Sequence, residues 1–402
     1  ALLEFINLPR TLQSSFDLSA PLRQGLFLIG RPKQWVPAFV EMFRQFGSEK
    51  AHQNLMKEIH SRPSYPHMKK AKLAITDLAG DITEREEAFM SNLGEKIPVL
   101  GRIVRASNRA YVGFLNKLRA DVFDDLLKKA DSLGVNKKST RSEIARYVNS
   151  ATGRGDLGSF NRAVPALNGL FFSPRLMASR LNLLNPVFYA RLDPFVRKQA
   201  LRDLFVFSSI AGTVLSLAKA SGAEVGEDPH SADFGKIKMG NTRYDILGGF
   251  GQYIRAATQI TSGVYISTTT GREIILGEGY KPLTRLDILY RFLETKEAPI
   301  ASFITGMLRG QTYGGEKFSP SAETIDLFIP MILQDMNEMA QDKGLEKVGL
   351  SLPGIFGVGV QTYGAQIPKP GFTASGKPRI EYRSKPQLGE TIINALTGKK
   401  LT

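Results

Sequence analysis

Arg102, Arg105 and Arg109 stand at i, i+3 and i+7, a spacing that places three guanidinium groups on one helix face. Lys128, Lys129, Lys137, Lys138, Arg141 and Arg146 follow within a short span. A second group comprises Arg175, Arg180, Arg191, Arg197, Lys198 and Arg202. Such rows can neutralise successive phosphates, giving salt-dependent binding that is blind to base sequence. They equally suit a solvated face laced with internal pairs, for which Asp203 is within reach of Lys198 or Arg202. The residues expected to touch nucleic acid are Arg102, Arg105, Arg109, Lys128, Lys129, Lys137, Lys138, Arg141, Arg197 and Lys198.

Other chemistry finds little support. There is no cysteine, so thiolate nucleophiles, disulfides and Cys-based metal sites are excluded. The four histidines are His52, His60, His67 and His230, and none forms a His-Glu-x-x-His motif. No Gly-x-Ser-x-Gly nucleophile elbow occurs. Gly153, Gly155 and Gly158 fit a relaxed Gly-x-Gly-x-x-Gly spacing, but the preceding residues read as helix, so the strand that a dinucleotide site needs is missing. Gly248-Gly249-Phe250-Gly251 precedes a helix; an anion could sit there, though a tight hairpin exit explains the glycines as well. The expectation is a non-enzyme without cofactor or bound metal.

Charge is the outlier of the composition. Lys plus Arg number 53 against 38 Asp plus Glu, a net charge of +15, and the pI is near 9.8. That excess points to a polyanionic partner, nucleic acid or an anionic membrane. Hydrophobic residues make up 42% of the 402, an ordinary globular share. The first residue is Ala1, which reads as a fragment or a processed product.

Periodicity gives a mainly α fold: a multi-helix body, a small β-hairpin insert and an extended C-terminal arm. Five regions are expected. Residues 1–150 form an N-terminal helical region. The apolar stripe Val36, Phe39, Val40, Phe43 and Phe46 is expected in its core, and Thr83 to Glu86 opens a further helix as a capping box. Pro98 to Lys129 reads as a long helix with Phe114 and Leu118 on its buried face. Residues 151–231 hold a loop-rich connection and a long apolar helix. Its run Leu204 to Leu217 is too short for an uninterrupted span, so it suits a buried central helix; its basic N-terminal flank leaves insertion at a membrane as the other reading. Residues 232–282 carry hairpins turning at Gly240-Asn241 and near Thr270-Gly271. Residues 283–349 return to helix. Residues 350–402, rich in Gly, Pro and Lys, are expected to lie extended against another chain, with wrapping over the chain's own body as the alternative.

Several long strings resemble a known family. They include Leu2-Leu3-Glu4-Phe5-Ile6-Asn7-Leu8-Pro9-Arg10, Arg85-Glu86-Glu87-Ala88-Phe89-Met90 and Asp233-Phe234-Gly235-Lys236-Ile237-Lys238 with Thr242-Arg243-Tyr244-Asp245. Together, over roughly residues 1–260, they resemble the large polyvalent-protein-associated domain of phage and mobile-element polyvalent proteins. The resemblance implies one segment of a giant phage chain, packaged in the virion and delivered with the genome. It carries over no catalytic residue.

The function expected on these grounds is that of a phage virion-associated internal or ejection protein. It would sit in the capsid interior or at the portal vertex and reach the host cell. Its expected partners are DNA held by its phosphate backbone, other virion proteins such as the portal or further copies of itself, and the host membrane. The alternatives are a non-catalytic segment of a larger phage enzyme or anti-defence polyprotein, and a plain sequence-nonspecific DNA-binding module.

Overall fold

A computed structural model describes residues 7–13, 18–78, 100–268, 271–279, 282–312, 317–331, 333–334, 336–337, 345–362, 367–372 and 378–383. The fold is mainly α, as the periodicity predicts. The capping-box helix expected from Thr83, the end of the helix expected to reach residue 342, and residues 384–402 lie outside the described residues.

The body is built on three helices: α1 (Pro32–Gly47), α2 (Glu49–Ser61) and α3 (Leu100–Ser132). Val104, Ala110, Phe114, Leu118, Val122 and Leu126 of α3 are all buried, as are Val112, Leu115 and Phe123 on its other sides. A helix with buried residues on several sides belongs in the middle of a core. Gly113 makes the approach of α1 possible, because a Cβ there would lie 2.7 Å from Gln45 Cγ. The fully buried face of α1 is Ala38, Met42 and Gln45; of the expected aromatic stripe, Phe39 and Phe46 pack half-buried against the core. Val36, Val40 and Phe43 are exposed. Phe39 stacks on Trp35, whose ring meets Phe114 of α3, and Phe39 and Phe43 both meet Phe356.

Two buried polar side chains of α3 are well matched. Asn116 accepts from the Thr76 amide at 2.9 Å and donates to its carbonyl at 2.8 Å. Arg119, fully buried, donates to Thr152 Oγ1, the Thr152 carbonyl and the Ala74 carbonyl. Buried polar groups matched in this way fix the register of the elements that carry them.

Helix α4 (Lys138–Ala151) closes the other side of α3, followed by α5 (Pro174–Leu184) and α6 (Pro194–Ala220). Asp193 caps α6, accepting from the Phe195 amide at 3.0 Å. Between α4 and α5 the glycines serve packing: a Cβ on Gly155 would stand 2.1 Å from the Ser179 nitrogen.

Strands β1 (Glu224–Val225), β2 (Lys236–Met239) and β3 (Thr242–Asp245) form an antiparallel sheet, with the β2–β3 turn at Gly240. Helix α7 (Phe250–Ser262) leads to the hairpin β4 (Val264–Ile266) and β5 (Glu273–Ile275), then α8 (Arg285–Glu294) and α9 (Pro299–Arg309). The β region is not wholly a local insert. Strand β6 (Gly359–Thr362) pairs antiparallel with β3, in the order β1-β2-β3-β6. Residues 355–362 therefore dock on their own body, which corrects the extended arm expected from residue 350 at that stretch. Lys236 Nζ holds Gln361 at 3.0 Å, and Phe356 covers Phe39 and Phe43. The hairpin β7 (Ile367–Phe372) and β8 (Pro378–Arg383) follows.

Candidate functional site

Helix α6 begins inside the body and ends outside it. Its first half is anchored. Val196, Ala200, Asp203 and Phe207 are buried. Gly30 presses on Val206, where a Cβ would come within 2.5 Å of Cγ1. Asp203 accepts from Arg31 Nη2 at 2.7 Å and from the Tyr147 hydroxyl at 2.5 Å, so it does not pair with Lys198 or Arg202. Arg31 also reaches Asp125 at 3.1 Å. Burial, with the Asp203 charge next, pushes the Tyr147 hydroxyl well above its ordinary pKa.

Beyond Phe207 no residue of α6 is buried. The expected buried central helix is therefore only half right. Ile210, Val214 and Leu217, at i, i+4 and i+7, continue the core-facing stripe after the core has ended. Phe205 is 72% exposed and Leu217 64%. On the other side, Ala211, Leu215 and Lys219 line a groove of about 840 Å³ against Val225, Phe234 and Leu247. Among the described residues α6 is the one helix long and apolar enough to cross a membrane, with a mean hydropathy of 1.4 and 17% of its apolar window buried. The span free of charged side chains, Leu204 to Ala218, is about 22 Å at the helical rise. A bilayer core is about 30 Å thick. That length suits burial in one leaflet or at the interface rather than a straight crossing.

Charge frames this helix. Arg191, Lys198 and Arg202 are exposed at its start. Arg197 is turned back, its Nη2 donating to the Leu192 carbonyl at 3.0 Å. Lys219 at the far end pairs with Glu227 at 2.6 Å. Elsewhere, α8 and α9 carry apolar exposure of their own at Leu286, Tyr290, Met307 and Leu308.

The residues expected to bind nucleic acid are distributed as follows. Arg102 and Arg105 are exposed near the start of α3. Arg109 is half-buried and donates to the Gln45 and Phe46 carbonyls at the end of α1. Lys128, Lys137 and Lys138 are exposed around the α3–α4 turn. Lys129 is held by Asp125 at 2.6 Å. Arg141 donates to Asn136 Oδ1 at 2.6 Å and meets His67 Nδ1 at 3.0 Å. Lys198 is exposed on α6. The two exposed groups on α3 are about 39 Å apart along its axis, so they do not make one patch. Arg180, counted by sequence with the basic rows, is buried. His52 is buried against Gln45, and burial, then Arg109, holds its pKa down. Among the described residues no group of His, Asp and Glu is arranged to hold a metal.

No protein-family model matches the chain, and neither the curated proteins nor the solved structures give a significant match.

Proposed function

We propose that this chain is a non-catalytic module of a phage virion-associated ejection protein, and that it acts on the host envelope by seating α6 in an anionic membrane surface. The observation that carries this reading is the exposure of Phe205, Ile210, Val214 and Leu217 along α6, with Arg191, Lys198 and Arg202 exposed at the start of the helix. Moving Phe205, Ile210, Val214 and Leu217 from water into acyl chains is worth about 1.5–3 kcal/mol for each full side chain, less for the parts already shielded. Each Lys or Arg near an anionic headgroup layer adds about 1 kcal/mol. The phage setting comes from the resemblance of residues 1–260.

Flotation with phosphatidylglycerol-containing vesicles tests it. The chain should float with them and far less with pure phosphatidylcholine. Phe205→Ser with Leu217→Ser should abolish flotation while leaving the fold intact. Equal recovery of wild type and double variant would remove the reading.

A second reading is sequence-blind contact with DNA. It is favoured by the exposed side chains of Arg102, Arg105, Lys128, Lys137, Lys138 and Lys198 together with the net charge of +15. Virion partners such as the portal belong to the same proposal and follow from the resemblance alone.

A further inference from the structure

Two cations from separate parts of the chain, Arg180 and Lys296, converge on the first turn of α7, and Arg23 and Arg255 lie close enough to act on their charge. Arg180 of α5 is only 2% exposed. Its Nη2 donates to the carbonyls of Arg23 and Gly248, the latter at 3.1 Å. Its guanidinium covers the ring of Phe250, the first residue of α7, at 4.2 Å. Nη1 is buried and has no acceptor. Lys296, just after α8, donates to Gln252 Oε1 and lies over the rings of Tyr253 and Phe292 at 5.4 and 5.3 Å. Arg255 donates to the Ala232 carbonyl at 3.0 Å. These acceptors are carbonyls and an amide, not carboxylates.

The helix start is also of the wrong sign for such company. A helix N-terminus carries a partial positive charge and attracts anions. Here the N-cap is Gly249 at φ 84°, with no side-chain cap and no acidic residue in the first turn. Gly248 brings the turn close to Arg23: a Cβ there would lie 3.0 Å from the Leu22 carbonyl. The carboxylate that offsets Arg180 and Lys296 is Asp245, and it accepts from the Leu247 amide at 2.9 Å. Burial lowers Arg180 to about 10 and Lys296 to about 8, with Arg255, Arg23 and Arg180 adding to the depression of Lys296. Cations buried without full compensation are costly, and a bound anion relieves that cost.

We propose that this convergence is a binding site for a phosphate-class oxyanion carried on a small soluble ligand. Arg180 Nη1 and Lys296 Nζ supply charge-assisted donors, and the N-terminal end of α7 adds the partial positive charge of its dipole. Arg23, Arg255 and Lys296 are half-exposed, so the ligand enters past them. A phosphodiester held in a duplex backbone cannot reach Arg180, which favours a terminal phosphate.

Calorimetry and thermal unfolding of the whole chain test this without vesicles, so the outcome is independent of α6. Inorganic phosphate and glycerol 3-phosphate are compared with chloride at equal ionic strength. Both phosphates should stabilise the chain saturably. Lys296→Met should weaken that affinity about tenfold or more, the loss expected for one hydrogen bond to a charged group. Arg180→Met removes a fully buried side chain and risks the fold, so Lys296 is the variant that decides. Identical unfolding in phosphate and chloride would overturn the site, as would an undiminished phosphate response in Lys296→Met. A stronger response to short-chain phosphatidylglycerol below its micellar concentration would overturn the soluble ligand and assign a lipid headgroup instead.

Discussion

Asp203 accepts from Arg31 at 2.7 Å and from Tyr147 at 2.5 Å, and one turn later α6 places its last buried side chain, Phe207. This pair is the root from which the apolar half of the helix projects. Asp203→Ala leaves Arg31 buried with only Asp125 to answer it. The cost is expected to be about 3–5 kcal/mol, the usual result of removing one partner of a buried pair. Denaturant unfolding measures it, and a loss below about 1 kcal/mol would mean that α6 is rooted by packing alone.

The middle of α3 should behave as an ordinary core. Phe114 and Leu118 are fully buried. Phe114→Ala should cost about 3–5 kcal/mol and Leu118→Ala about 2–5 kcal/mol, since neither site can collapse between α1 and α4. Equilibrium unfolding checks both.

The helical body was legible in the sequence because α3 repeats apolar residues at helical spacing over some thirty positions. The hairpin at Gly240 was legible for the same kind of local reason. The face of α1 was not. Ala38, Met42 and Gln45 face α3, with Gln45 set against Gly113, and Gly113 lies far away in the chain. Strand β6 was missed because its partner β3 is more than a hundred residues distant and its own run is short. The apolar run of α6 was visible, but composition does not say what covers it. Arg180 and Lys296 form a site only where segments near 23, 180, 248 and 296 meet, and no local pattern announces that meeting.

Lys296 gives the chain a pH signature. Its folded pKa is about 8 against an ordinary 10.5, with burial as the main cause. Between those values the unfolded chain binds more protons than the folded one, so stability rises with pH across that window. Lys296→Met should therefore be more stable than wild type at pH 7, and the difference should shrink toward pH 10.5. Thermal unfolding at a series of pH values reads this directly, and a constant difference would refute it.

DNA binding, if it uses the exposed basic side chains, should be split between two sites. Arg102→Glu with Arg105→Glu should weaken duplex affinity and lower the salt slope by about 2. Lys137→Glu with Lys138→Glu should do the same independently, because the groups sit at opposite ends of α3. Titrations at several salt concentrations check it. Salt-independent affinity would contradict the phosphate contacts.

The central claim is that the exposed half of α6 enters a membrane. Val214→Trp places an indole on that face, and Trp35, the chain's own tryptophan, remains inside the body as the internal reference. In phosphatidylglycerol vesicles made with lipids brominated along the acyl chain, the fluorescence from position 214 should be strongly quenched and blue-shifted, while that of Trp35 in the parent chain is unchanged. Emission from position 214 that is the same with brominated and ordinary lipids would show that α6 stays in water and would contradict the membrane reading.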